Sequence, residues 1–157
     1  MAVDDMGGIS KGQSMPWPKN SIDLKWFKQN TLNNIVIMGR KTWQDPFMPT
    51  PLKLRINVLV TNKDPILYPG ADFYLSGNII KKIKQIQLDN ENKDIFIIGG
   101  SEIIKSTMNI IEEFYLTRIY GNYNCEKFIN ISLIGKNMAL KKKIEGDNSC
   151  HFEIWKK

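Results

Sequence analysis

Asp23 has the setting that most suggests chemistry in this 157-residue chain. It falls in the first turn of an expected helix, flanked by Trp17, Ile22, Leu24, Trp26 and Phe27. Two readings stand side by side. A carboxylate near a helix start can simply be favoured by the helix dipole, worth about a few tenths of a kcal/mol. A lone carboxylate in an aromatic pocket can instead bind a cationic or amidine-like heterocycle and tune a proton transfer. His151 is the single histidine, which excludes His-rich metal sites and argues against a His-based triad. Cys125 and Cys150 form no Cys-x-x-Cys pair, and with no export signal they are expected to be free thiols in a reducing compartment.

Two further segments could hold a charged ligand. Gly39-Arg40-Lys41-Thr42 and Gly99-Gly100-Ser101 each follow an apolar run. Glycine lets backbone approach a phosphate, and a helix start offers N–H donors. Neither segment matches G-x-G-x-x-G or the P-loop, and glycine after a strand is also ordinary turn punctuation. Two such turns in one sheet, one beside Arg-Lys, fit a dinucleotide with an extra phosphate. Met15-Pro16-Trp17 closes a Gly/Ser-rich stretch, as a lid or as a loop anchored by a core Trp. Arg55 opens a strand, either solvated or as a carboxylate fork.

The elements that must position these groups show in the apolar pattern. Ile35–Met38, Ile56–Val60, Phe73–Leu75 and Ile95–Ile98 read as strands, and their continuous apolar character marks strands of a parallel sheet covered on both faces. Between them the spacing predicts helices. The first runs over 22–32, capped by Ser21, with Leu24, Phe27 and Lys28 on one face. The second is capped by Asn78 and carries Ile79, Ile80, Ile83 and Ile86. The third opens at Gly100-Ser101 and carries Ile103, Ile104 and Met108. After Phe114–Thr117 two strands, 138–145 and 151–155, follow with no helix between them. The expected fold is therefore α/β, with a mostly parallel sheet and an antiparallel C-terminal edge.

Composition narrows the function classes. The length suits a single domain, 1–157, and apolar runs of four residues fall far short of the ~20 that cross a membrane. The formal net charge is +6, yet 19 of the 22 basic residues are Lys, and 57 of the 157 residues are Lys, Ile or Asn. That bias fits A/T-rich codons and weakens a nucleic-acid reading of the charge. It also draws attention to Arg40, Arg55 and Arg118, the three arginines.

Taken in order, the motifs resemble the dihydrofolate reductase family over nearly the whole chain. They are Ala2-Val3-Asp4, Gly8-Ile9, Met15-Pro16-Trp17, Asp23-Leu24-x-Trp26-Phe27-Lys28 with Thr31, Val36–Trp43, Pro51-Leu52 with Arg55 and Asn57, Ile97–Gly100, Tyr115-Leu116-Thr117 and Phe152-Glu153-Ile154. The resemblance implies a monomeric, cytoplasmic NADPH-dependent reductase of 7,8-dihydrofolate. The implied fold has three layers, with helices on both faces of a central sheet, and no nucleic-acid or membrane partner.

Carried over by position, Asp23 would hold the pterin and promote protonation at N5, with Thr117 in support. Leu24 and Phe27 would flank the substrate rings, Leu52 would line the benzoyl site, and Arg55 would clamp the glutamate α-carboxylate. Ala2 and Ile98 would sit at the pterin and nicotinamide, and Met15 and Trp17 would belong to the lid. Gly39, Arg40, Lys41 and Thr42 would hold cofactor phosphates, with Arg40 and Lys41 near the 2′-phosphate. Gly99, Gly100 and Ser101 would take the pyrophosphate, Thr61 and Asn62 would approach the adenosine end, and Ile9, Glu102 and Ile103 would complete the cofactor site.

The chain departs from the family pattern in places. Met1 stands directly before Ala2, where the family carries a central strand, so the expectation is that about five added apolar residues would stabilise the fold. Ile104 stands where an aromatic is usual, Asp45–Thr50 is longer than usual, and Cys125–Ile129 replaces an acidic-Thr-x-Phe-Pro motif. Two alternatives remain: a reductase of another pterin or pyrimidine, for which Arg55 has no partner, and a non-catalytic binding homologue.

Overall fold

The apolar runs read from the sequence are strands in the computed structural model, which describes residues 1–12 and 14–157. In chain order the elements are β1 (Ala2–Val3), β2 (Gly8–Ser10), α1 (Ser21–Thr31), β3 (Ile35–Gly39), α2 (Arg40–Trp43), β4 (Ile56–Val60), β5 (Phe73–Leu75), α3 (Ile79–Asp89), β6 (Ile95–Gly99), α4 (Ser101–Thr107), β7 (Glu113–Ile119), β8 (Lys127–Phe128), α5 (Ile131–Asn137), β9 (Ala139–Asp147) and β10 (Cys150–Lys156). They form two compact units, one of Lys28–Ile110 and one of Met1–Phe27 with Ile111–Lys157.

The Lys28–Ile110 unit, called the parallel unit here, holds a sheet in the order β5-β4-β3-β6 with every pair parallel. Ile35 and Ile37 of β3 join Val58, Leu75 and Ile83 in one core, and Ile79 and Ile86 of α3 pack against it. The alternate residues Val36 and Met38 are equally buried. A strand with no wet face must be apolar at every position, which is why β3 reads as an unbroken run. Asn78 caps α3 as expected, its Oδ1 accepting from the Lys81 N–H at 3.1 Å.

The second unit, the mixed unit, holds a sheet in the order β1-β7-β10-β9. β1 runs parallel to β7 and sets Ala2 opposite Thr117, while β10 is antiparallel to both β7 and β9. A small ribbon of β2 and β8 lies in the same unit. Its core contains Trp17, Ile119, Cys150 and Phe152, with Ala2, Ile22, Trp26 and Tyr123 packed on them.

One sequence expectation for α1 is corrected. The cap is Asn20 rather than Ser21: its side-chain oxygen accepts from the N–H groups of Ile22 (3.1 Å) and Asp23 (2.9 Å). Both are capping residue types, but Ser21 is already helical, and the longer Asn side chain one residue earlier reaches both donors. Ile22 and Trp26, four apart, pack on the mixed unit's core. Leu24 is 39% exposed and Phe27 half-buried.

Candidate functional site

The mixed unit positions Asp23, half-buried in the first turn of α1. The Met1 amino group donates to the Tyr115 carbonyl at 2.7 Å, and the Met1 carbonyl accepts from the Thr117 N–H at 2.8 Å. Burial pulls that amino group below its ordinary pKa, and the nearby Asp23 carboxylate acts in the opposite sense. Asp23, the start of β1 and the Tyr115–Thr117 stretch of β7 therefore share one neighbourhood. Thr117 is buried, and Ala2 opposite it is half-buried.

Aromatic packing fixes this region. Trp26 stacks on Phe152 at 4.6 Å between centroids and leans on Tyr115 at 6.3 Å. Trp17 is buried, with Tyr123 at its edge 5.8 Å away, while Met15 is exposed. The Trp17 segment is thus anchored at one residue and open at another. Ile9, on β2, is half-buried in the same unit.

The parallel unit brings the two glycine turns together, because β3 and β6 are adjacent and parallel and the turns follow their C-terminal ends. Added carbons show how closely side chains beside each turn pack on the glycines of the other. A Cβ at Gly39 would lie 2.8 Å from Ile103 Cδ1, and one at Gly99 would lie 3.3 Å from Thr42 Oγ1. Gly99 has φ +132°, a conformation open to glycine alone, and the Gly99–Gly100 peptide is cis. Gly39 and Gly100 hold the cap positions of α2 and α4, so neither helix start has a side-chain cap. Arg40 is half-buried, with Nη1 3.2 Å from Gln44 Oε1, and Lys41 is exposed.

Asn62, Glu102 and Ile103 line one cavity of about 330 Å³, with Val60, Gly77 and Ser106. Thr61 is buried beside it in sequence, its hydroxyl accepting from the Lys63 N–H. Ile98 is half-buried at the end of β6, and Ser101 is half-buried at the start of α4. Ile104, the replacement for an aromatic, is 2% exposed and belongs to the apolar interior.

Leu52 and Arg55 are held by residues to which the sequence reading assigned no role. The Asn57 side chain accepts from the Leu52 N–H (2.8 Å) and donates to the carbonyls of Leu52 (2.9 Å) and Arg55 (3.1 Å). One amide thus fixes the segment that carries both. The Arg55 guanidinium donates to Thr31 Oγ1 from Nε (3.2 Å) and Nη2 (3.1 Å), and to the Lys53 carbonyl (2.9 Å). Burial lowers its pKa from the ordinary arginine value. Asn57, a polar residue within the apolar run 56–60, carried a sequence signal for such a role, whereas Thr31 lies among Gln29, Asn30, Asn33 and Asn34 and carried none.

Among the described residues no His, Cys, Asp and Glu cluster could hold a metal ion, and no helix is long and apolar enough to cross a membrane. A family model described as dihydrofolate reductase matches residues 1–153. The viral dihydrofolate reductase of Saimiriine herpesvirus 2 (strain 488) is 34% identical over 139 residues, covering 82% of this chain and 65% of that one. The chain therefore spans just under two thirds of that relative's length. Rattus norvegicus dihydrofolate reductase is 31% identical over 180 residues, covering 100% of this chain and 95% of that one. The solved structure of dihydrofolate reductase from Enterococcus faecalis, complexed with NADP(H) and RAB-propyl, superposes with a TM-score of 0.79. It is 22% identical and covers 99% of this chain and 92% of that one.

Proposed function

Because the chain belongs to the dihydrofolate reductase family and has its α/β fold, whose members reduce dihydrofolate with NADPH, we propose that it catalyses that same reaction, giving tetrahydrofolate. The observation that carries this reading is the pairing of the Gly39–Thr42 and Gly99–Ser101 turns at the ends of adjacent parallel strands. Glycine lets the two turns close on each other, since a Cβ at Gly39 or Gly99 would meet Ile103 or Thr42, and it leaves the N–H groups of two uncapped helix starts there, which suits a dinucleotide phosphate.

The residues would meet the cofactor in four places. Gly39, Arg40, Lys41 and Thr42 would hold its phosphates, with Arg40 and Lys41 toward the 2′-phosphate. Gly99, Gly100 and Ser101 would take the pyrophosphate. Thr61 and Asn62 would meet the adenosine end, with Glu102 and Ile103 in the cavity that Asn62 lines. Ala2, Ile9 and Ile98 would face the nicotinamide end. When bound, NADPH supplies the hydride.

The chain's own work is then binding, orientation and one proton. Asp23 would accept hydrogen bonds from the pterin 2-amino and ring N–H groups and favour protonation at N5, supported by Thr117. Leu24 and Phe27 of α1 would flank the substrate rings, and Leu52 the benzoyl group. Arg55, aimed by Thr31, would fork the glutamate α-carboxylate. Met15 and Trp17 would cover the reacting rings and keep water out. We take residues 1–157 as one domain, acting as a cytoplasmic monomer without nucleic-acid or membrane partners.

The test follows NADPH absorbance with and without dihydrofolate. Dihydrofolate-dependent oxidation is the expected result; NADPH binding without turnover would place the chain among non-catalytic homologues.

A further inference from the structure

We propose that Asn20 is a positioning residue for Asp23, and that Ser149 and Asp147, from the β9–β10 hairpin, fix the orientation of its amide. The inference rests on the reading of Asp23 as the group that holds the pterin. Asn20 Oδ1 accepts from the N–H of Ile22 and from the N–H of Asp23 itself. Asn20 Nδ2 donates to Ser149 Oγ at 2.7 Å. The Ser149 hydroxyl donates to Asp147 Oδ1 at 2.5 Å, and the Ser149 N–H donates to the same oxygen at 2.8 Å.

The direction of each bond follows from the inventory of donors. The Ser149 hydroxyl and N–H hold the Asp147 carboxyl below its ordinary pKa. An ionised carboxylate only accepts, so the single Ser149 hydroxyl proton is committed to Asp147. The Ser149 oxygen must then accept, and the Asn20 NH₂ must face it. This leaves the Asn20 carbonyl oxygen, and not its NH₂, toward the first turn of α1. An amide turned the other way would set donors against donors at Ile22 and Asp23. Asn20 and Ser149 are 129 residues apart, so the cap depends on the tertiary fold. The three residues also line a cavity of about 240 Å³ beside Trp17 and Tyr123, so the link borders the anchored tryptophan.

A cap that binds the N–H of Asp23 fixes the backbone from which the carboxylate projects. Misplacement of a reacting group by an ångström can cost about a hundredfold, so a partial loss of aim is expected to cost roughly tenfold. The experiment measures single-turnover hydride transfer against pH for wild type, Asn20→Ala, Asn20→Ser, Ser149→Ala and the Asn20→Ala/Ser149→Ala double variant, with Asp23→Asn alongside. Asn20→Ala is expected to slow the step about tenfold at pH 7 and to shift its pH profile, with NADPH affinity unchanged. Asn20→Ser, which retains a capping oxygen, should recover most of the rate. Ser149→Ala should cost about threefold alone and nothing further in the double variant.

If Asn20→Ala changes melting temperature but neither rate nor pH profile, while Asp23→Asn is slow, the positioning role is overturned. Independent, additive losses at Asn20 and Ser149 overturn the link between them. Should Asn20→Ala fail to fold, Ser149→Ala decides: a wild-type rate and profile there also overturns the proposal. A wild-type hydride rate for Asp23→Asn is a separate outcome, in which the reading of Asp23 itself fails.

Discussion

In the parallel unit each candidate ligand group hangs from a turn next to the strand that places it. Gly39–Thr42 follow β3 directly, and Gly99–Ser101 follow β6. Arg55 is aimed by Lys53, two residues away, and by Thr31. The mixed unit is organised differently. Asp23 is surrounded by parts of the chain far apart in sequence: the Met1 amino group bonds Tyr115 114 residues on, and the cap Asn20 bonds Ser149 129 residues on. Local turns suit repeated backbone contacts to a phosphate chain, where small errors average out. A single carboxylate needs one direction, and here long-range contacts supply it.

If that division holds, changes in the mixed unit should act on the hydride step and changes in the parallel unit on binding constants. The largest effect is expected at Asp23. Asp23→Asn should slow single-turnover hydride transfer at pH 7 by about 10²–10⁴-fold, with the dissociation constant for NADPH unchanged. A loss of cofactor affinity in that variant would break the comparison.

Arg55→Ala comes next. Losing a charge-assisted fork costs about 1.5–3 kcal/mol, so KM for dihydrofolate should rise roughly 10- to 100-fold. A bare pterin without the glutamate tail should show no such rise. Equal losses for both substrates would remove Arg55 from the tail.

Replacing Arg40 and Lys41 together with Ala should erode the preference for NADPH over NADH by about tenfold, since two partly exposed ion pairs are worth about 1–2 kcal/mol together. Competition binding with the two cofactors measures it directly. Equal use of both cofactors by the wild type would overturn the assignment.

A last effect, read in stability rather than in rate or binding, sharpens the comparison. In the mixed unit burial pushes the Asp4 carboxyl up, but the N–H groups of Gly8 and Tyr123, the Cys125 thiol and the Met6 N–H outweigh it and hold it below its ordinary value. Burial likewise opposes the Trp155 indole, His151 and Arg118 at Glu153, and the net shift is again downward. A carboxylate lowered on folding contributes stability above the ordinary carboxylate range and loses it as pH falls through the folded-state value. The melting temperature should therefore drop as pH falls below about 4. Asp4→Asn should lose about 1–3 kcal/mol at pH 7 and show a flatter decline between pH 5 and 3. A decline as steep as in the wild type would remove Asp4 from the acid response.

The sequence reading fared differently in the two units. β3 and β6 and their glycine turns were legible because these strands of a parallel sheet are apolar up to a closing glycine, while β4 and β5 showed as shorter apolar runs although Asn57 lies within β4 and Phe73 of β5 is exposed. The four-residue α2, the β2–β8 ribbon and α5 went unread. Their patterns are too short to carry a period, and Lys127 and Phe128 of β8 are both exposed. Within the candidate site, residue types identified Asp23 and Arg55 but not the side chains that aim them. Asn20, Asn57 and Thr31 are ordinary polar residues until the fold supplies their partners.

The sequence by itself determined which groups are available and what they can do: one carboxylate among aromatics, an Arg-Lys pair beside a glycine turn, a second glycine pair, and an arginine before a strand. Those properties belong to residue types and short spacings, so no fold is needed to state them. Only the tertiary structure decided that the two turns meet with Ile103 and Thr42 against glycine, and that Asn57 clamps the Arg55 segment. It likewise decided that Asn20, and not Ser21, caps the helix of Asp23. Each depends on a hydrogen bond or a van der Waals contact formed only when the chain brings the partners together. Capping propensity ranks Asn and Ser as near equals, and Ser149, from the far end of the chain, sets which way the Asn20 amide faces.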